Sequence, residues 1–147
     1  MRRLIDGFKK LFGASSLQKP HYQIVVHELA EGPFQIEGRD FESLSLPPAG
    51  NQGLRFTYRG RRYAITGDST YHEQERAFLR GIDLAIIDSG HLSDDEIVAL
   101  AVASQPGTIV CSHLYREIDA SRLQALAEKE GYRGTILVGR DLMTFVL

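Results

Sequence analysis

The stretch Leu84-Ala85-Ile86-Ile87-Asp88-Ser89-Gly90-His91-Leu92-Ser93-Asp94-Asp95-Glu96 decides the architecture. Its first four residues form an unbroken apolar run, the pattern of a short strand covered on both faces. Its last four carry a capping box, with Ser93 as N-cap and Glu96 three residues on. The helix this predicts runs through Ile97, Val98, Leu100 and Ala101 and stops before Pro106-Gly107. Thr108-Ile109-Val110-Cys111 repeats the buried-strand pattern. Residues 119–130 then read as a helix, with Leu123, Leu126 and Ala127 on one face and Gly131 as its stop. Residues 135–138 and 142–146 read as closing strands around Gly139-Arg140-Asp141. Strand, helix, strand at this spacing requires parallel pairing with helices laid over the sheet.

Upstream the rhythm differs. Residues 22–29 are β-rich and bounded by Gly32-Pro33, residues 41–46 alternate, and Pro47-Pro48-Ala49-Gly50-Asn51 is a loop. Leu54-Arg55-Phe56-Thr57-Tyr58 and Tyr63-Ala64-Ile65-Thr66 alternate strictly around the turn signal Arg59-Gly60-Arg61. A helical stretch over about 71–79 leads into the second block. The fold class is therefore α/β, a mixed sheet covered by helices. No internal repeat or low-complexity tract interrupts it.

Residues 1–12 place Leu4, Ile5, Phe8, Leu11 and Phe12 on one helical face, with Arg2, Arg3, Lys9 and Lys10 elsewhere. Such a helix either meets a membrane surface or nucleic acid, or docks on the domain or a partner subunit. Gly13-Ala14-Ser15-Ser16 breaks it and Pro20 closes the linker. The expected organisation is a basic amphipathic helix with its linker at 1–20 and one domain at 21–147.

The 147 residues suit one domain, and 43% hydrophobic content supports a core. A net charge of −2 excludes nucleic-acid binding by bulk positive charge, though not by a local basic patch. A lone cysteine, Cys111, excludes an intramolecular disulfide or a CxxC site, and inside an apolar strand it reads as inert. No apolar segment is long enough to span a membrane. With one thiol and no secretory signal, the expected location is cytoplasmic.

Three strand ends carry polar residues in succession: Gly67-Asp68-Ser69-Thr70, Asp88-Ser89-Gly90-His91 and Ser112-His113-Leu114-Tyr115-Arg116. In α/β sheets functional groups collect at the carboxyl ends of strands. If these strands are neighbours, Asp68, Asp88, His91 and His113 share one rim. Carboxylates with imidazoles suit zinc, manganese or iron, and equally a general acid/base pair. Each also has a plainer reading: Asp68 and Asp88 as caps of the following turns, His91 as an exposed loop residue, His113 as a hydrogen-bonded core residue. His72 lacks the second histidine of an HExxH motif. No GxSxG or GxxxxGK[ST] motif occurs.

Tyr63-Ala64-Ile65-Thr66-Gly67-Asp68-Ser69 resembles the Gly-Asp-Thr segment of the metallo-β-lactamase superfamily. Gly81-Ile82-Asp83-Leu84-Ala85-Ile86-Ile87-Asp88-Ser89-Gly90-His91, then Thr108-Ile109-Val110-Cys111-Ser112-His113 and Gly139-Arg140-Asp141-Leu142-Met143-Thr144-Phe145, resemble its later segments in the same order. The nearest branch is the phosphodiesterase branch that includes tRNase Z. The resemblance implies that Asp68 matches a metal-bridging carboxylate and His113 a terminal ligand of the second metal. His91 matches the histidine that donates a proton to the leaving group. It implies zinc or manganese as cofactor and RNA or a nucleotide as ligand.

The superfamily's HxHxDH motif is absent, and the loop at 47–51 lacks a further family histidine. The chain thus resembles half of an αββα sandwich, the C-terminal half. Two expectations follow. One is a truncated metal-dependent hydrolase or phosphodiesterase, working only when a second copy or a complementary partner completes it. The other is a non-catalytic binding or scaffolding module that kept the fold and lost the metal site.

Overall fold

In the computed structural model, residues 28–144 are described. The chain divides into Met1–Ala30 and Glu31–Leu147, and every element below belongs to the second unit. The expected helix at 1–12 and most of the expected strand at 22–29 lie outside the described residues. Glu28 and Leu29, at the end of that strand prediction, are not in a strand.

Seven strands form one sheet in sequence order. They are β1 (Gly32–Ile36), β2 (Arg39–Leu46), β3 (Asn51–Tyr58), β4 (Arg61–Ile65), β5 (Leu84–Asp88), β6 (Thr108–Ser112) and β7 (Thr135–Val138). β1 to β4 pair antiparallel. β4 to β7 pair parallel, each crossover carrying one helix: α1 (Glu73–Phe78), α2 (Asp94–Ser104) and α3 (Ala120–Lys129). The mixed α/β sheet read from the change of rhythm is the one observed.

Local chemistry explains the connections. Arg59 and Gly60 both have positive φ, 50° and 76°, which gives a two-residue turn whose twist matches the flanking strands. Glu37 and Gly38, at 49° and 72°, do the same between β1 and β2. β1 is a strand where the sequence suggested only a Gly32-Pro33 boundary. It lies at the sheet edge, where a proline costs no ladder bond. Ser93 and Glu96 cap α2 reciprocally, Asp119 caps α3, and Gly131 follows α3 with φ of 96°. The strand expected at 142–146 does not form over its described part: Leu142 has φ of 64°, and the Met143 N–H donates to Arg140 O at 3.1 Å in a turn.

The core lies on one side of the sheet. Leu46, Ala64, Ala85, Ile87, Ile109, Cys111 and Ile136 meet Phe78, Ile97, Leu100, Leu123 and Ala127 from the helices. Gly53 permits this closeness on β3, since a Cβ there would stand 2.7 Å from Leu46 Cδ1 and 3.0 Å from Phe78 Cε1. No helix of the described residues is long and apolar enough to cross a membrane.

Candidate functional site

Because β4, β5 and β6 are parallel neighbours, their carboxyl ends open on one rim. The segment after β4 is tied from several sides. The Asn51 amide donates to Thr66 O at 3.1 Å, and the Thr70 N–H donates to Pro47 O at 3.1 Å. Thr66 Oγ1 accepts from the Asp88 N–H at 3.0 Å, joining this segment to the end of β5. The Ser69 hydroxyl donates to Glu75 Oε1 at 2.7 Å, both residues being fully buried. Burial, opposed by the Ser69 bond and assisted by the charge of Asp88, pushes the Glu75 carboxyl up to about 7. Asp68 itself stays in the open, its side chain 66% exposed.

Asp88 is the opposite case. Its side chain is 0% exposed. Oδ1 accepts from the Gly90 and His91 N–H groups at 2.8 and 3.2 Å, the turn-capping role read from sequence. Oδ2 lies 2.6 Å from His91 Nδ1. One buried carboxylate therefore both shapes the turn and aims an imidazole that is 41% exposed. That hydrogen bond raises the His91 pKa above its ordinary value, against a smaller desolvation effect.

His113 follows β6 in a left-handed conformation, φ of 57°, rare for a residue with a side chain. Gly90 makes room for it: a Cβ there would stand 2.3 Å from His113 O and 3.0 Å from His113 Cδ2. The two imidazoles consequently stack with centroids 5.3 Å apart. His113 Nδ1 lies 3.9 Å from Asp68 Oδ1, and Nε2 lies 2.6 Å from the Tyr115 hydroxyl. The loop after β6 is fastened to α2 by Arg116, which donates to Leu92 O at 3.0 Å and pairs with Asp94 at 2.8 Å.

The four residues proposed from sequence, Asp68, Asp88, His91 and His113, are thus brought to one place. Asp141 lines a neighbouring cavity with His113. His72 sits at the N-cap of α1 without a side-chain cap bond, and Cys111 is buried with its thiol pushed up to about 12. Sequence reasoning gave no role to Tyr115 or Glu75. Tyr115, two residues beyond His113, carried the only usable signal.

No family model matches the chain, and no curated protein matches it by sequence. Solved structures do match. The metallo-β-lactamase fold protein YhfI of Bacillus subtilis aligns with a TM-score of 0.67 at 17% identity, covering 86% of this chain and 56% of YhfI. This chain has a metallo-β-lactamase fold. A Parabacteroides distasonis protein ascribed metal-dependent hydrolase activity aligns at 0.62 and 17% identity, over 75% of this chain and 56% of that one. A diphosphatase of the PhnP family aligns at 0.60 and 15% identity, over 90% of this chain and 50% of its own. The chain spans about half the length of these structures. The resemblance carried by the segments around Asp68, His91 and His113 is borne out at the level of the fold.

Asp88, His91 and His113 form a candidate metal-binding triad, and Asp68 stands beside it, its Oδ1 3.9 Å from His113 Nδ1. Ligand atoms of Asp88, His91 and His113 lie within 4.8 Å of one another. Imidazole nitrogens and carboxylate oxygens are donor types that bind divalent metal ions.

Proposed function

We propose that the rim is a divalent-metal site for hydrolysis of phosphate esters, with zinc or manganese held by Asp68 and His113 and with His91 as the proton donor. The observation that carries this reading is the 2.6 Å contact between buried Asp88 and exposed His91. A carboxylate already accepting from two backbone N–H groups and one imidazole is committed to orienting that imidazole. Nδ1 is occupied, so Nε2 is the atom left to deliver a proton to a leaving oxygen. Asp88, by favouring the charged ring, keeps His91 protonated to higher pH. A metal held at Asp68 and His113 would polarise a phosphoryl oxygen and lower the pKa of bound water.

Asp68 and His113 supply two ligands, whereas a catalytic zinc takes about three from protein. The missing donors are proposed to come from a second copy or a complementary chain, RNA or a nucleotide being the substrate class. Elemental analysis of the purified protein, with its mass in solution and its turnover of bis(p-nitrophenyl) phosphate, tests this. The expected result is bound zinc or manganese in an oligomer that turns over the ester. His113→Ala should lose the metal, and His91→Ala should keep the metal and lose turnover. A metal-free, inactive protein in every oligomeric state would overturn this reading in favour of a non-catalytic binding module.

A further inference from the structure

The end of β4 away from Asp68 carries a separate feature. A cavity of about 380 Å³ opens on the helix-bearing side of β2, β3 and β4, lined in part by Asp40, Glu42, Arg55, Thr57, Arg62 and Arg80. Its three guanidiniums are not equivalent. Arg55 is committed: Nε and Nη2 donate to the Glu42 carboxylate at 2.7 and 2.9 Å, and the group lies 5.4 Å from the centre of the Phe78 ring. Arg62 and Arg80 have no side-chain hydrogen bond or ion pair with any described residue.

The backbone of Arg62 is nevertheless held in place. Its N–H donates to Asp83 Oδ2 at 2.6 Å. Its guanidinium lies over Gly81, where a Cβ would stand 2.5 Å from Nη2 and 3.0 Å from both Cζ and Nη1. Gly81, whose φ of 68° itself favours glycine, leaves that space open and directly follows Arg80. Among the acids, Glu42 is neutralised by Arg55, and Asp40 accepts from Gln35 Nε2 at 2.6 Å. Arg62 and Arg80 then line the cavity with one carboxylate that no arginine neutralises, Asp40, while the Asp83 carboxylate lies outside the lining on the Arg62 backbone N–H.

We propose that this cavity binds the phosphate group of a small phosphorylated molecule between Arg62 and Arg80. A guanidinium fork matches phosphate oxygens in shape and charge, and two such forks can divide one phosphate between them. The volume is at the small end of ligand pockets, roughly 300–1,000 Å³, which suits a compact molecule better than a polymer. The proposal uses none of the rim residues and stands apart from the metal reading.

Titration of the full chain with inorganic pyrophosphate, in a chelator that strips divalent metal, tests it by calorimetry. Saturable one-to-one binding is expected. It should weaken about tenfold or more in Arg62→Gln/Arg80→Gln and be unchanged in His113→Ala. If the double variant loses its folded circular dichroism, Arg80→Gln alone decides, because that residue is exposed and its side chain has no partner to lose among the described residues. Absence of saturable binding, or equal affinity in wild type and the arginine variants, would overturn the proposal.

Discussion

The antiparallel and parallel parts of the sheet reach stability by different means. β5 to β7 are packed by aliphatic side chains that meet α2 and α3 with no exposure at all, among them Ile97, Leu100, Ile109 and Leu123. β1 to β4 instead carry a row of half-buried rings on the other face of the sheet. Phe34, Phe41, Phe56 and Tyr63 stand at successive centroid distances of 5.5, 5.4 and 5.2 Å, on directly paired positions. The rim inherits this difference. The closed parallel part supplies Asp88, His91 and His113, locked by burial, backbone bonds and the Gly90 contact. The antiparallel part supplies only Asp68, exposed on a segment tied down through Asn51, Thr70 and Ser69, so one side of the site is buried and the other is open to solvent.

The largest expected effect comes from opening a cavity in the buried side. Leu100 is fully buried in α2. Leu100→Ala should cost about 2–5 kcal/mol through lost burial and the cavity left behind. Urea unfolding at fixed pH measures it. A cost below about 1 kcal/mol would mean that the parallel part is not the tighter one.

Next is Glu75, which joins the loop bearing Asp68 to the core through Ser69. Its carboxyl titrates near 4.5 when unfolded and at about 7 when folded. Both states are protonated below pH 4.5, so folding carries no penalty there. As pH rises from 4.5 through 7, the folded state holds its proton while the unfolded state releases it, and stability falls. The difference corresponds to at most about 3 kcal/mol. Glu75→Gln keeps the shape and has no proton to lose, so its stability should gain on wild type by that amount between pH 4.5 and 7.5. Parallel stability curves for the two proteins would show that Glu75 is not held protonated by burial.

Sequence revealed the parallel part better than the antiparallel one, for physical reasons. A continuous apolar run such as Leu84-Ala85-Ile86-Ile87 and a capping box such as Ser93 with Glu96 are local signals, and both reappear in place. β1 was hidden because Gly32-Pro33 reads as punctuation unless its position at the sheet edge is known. The strand expected at 142–146 failed over its described part because Leu142 adopts a left-handed turn. At the rim, Asp68 and Asp88 look alike in sequence, each ending a strand before a turn. Burial alone separates them, the Asp88 side chain being 0% exposed and that of Asp68 66%. Glu75 lies among Glu73, Gln74 and Arg76, a stretch that reads as solvated. Its contact with Ser69 depends on how α1 folds back beneath the loop.

The smallest effect is expected at the far end of the aromatic row. Phe34 is half-buried on the edge strand and touches one ring, Phe41, stacked at an interplanar angle of 13°. Cross-strand aromatic pairs contribute roughly 0.2–1 kcal/mol. Phe34→Ala should therefore lower stability by about 1 kcal/mol, seen as a small shift of the urea midpoint without a change of slope. Because the change lies three strands from β4, the stacking of His91 on His113 should stay as it is. The pH titration of both imidazoles, followed by NMR, reads this directly. Imidazole titrations that move with Phe34→Ala would show that the row of rings holds the rim in place, and the two parts of the sheet would then not be mechanically separate.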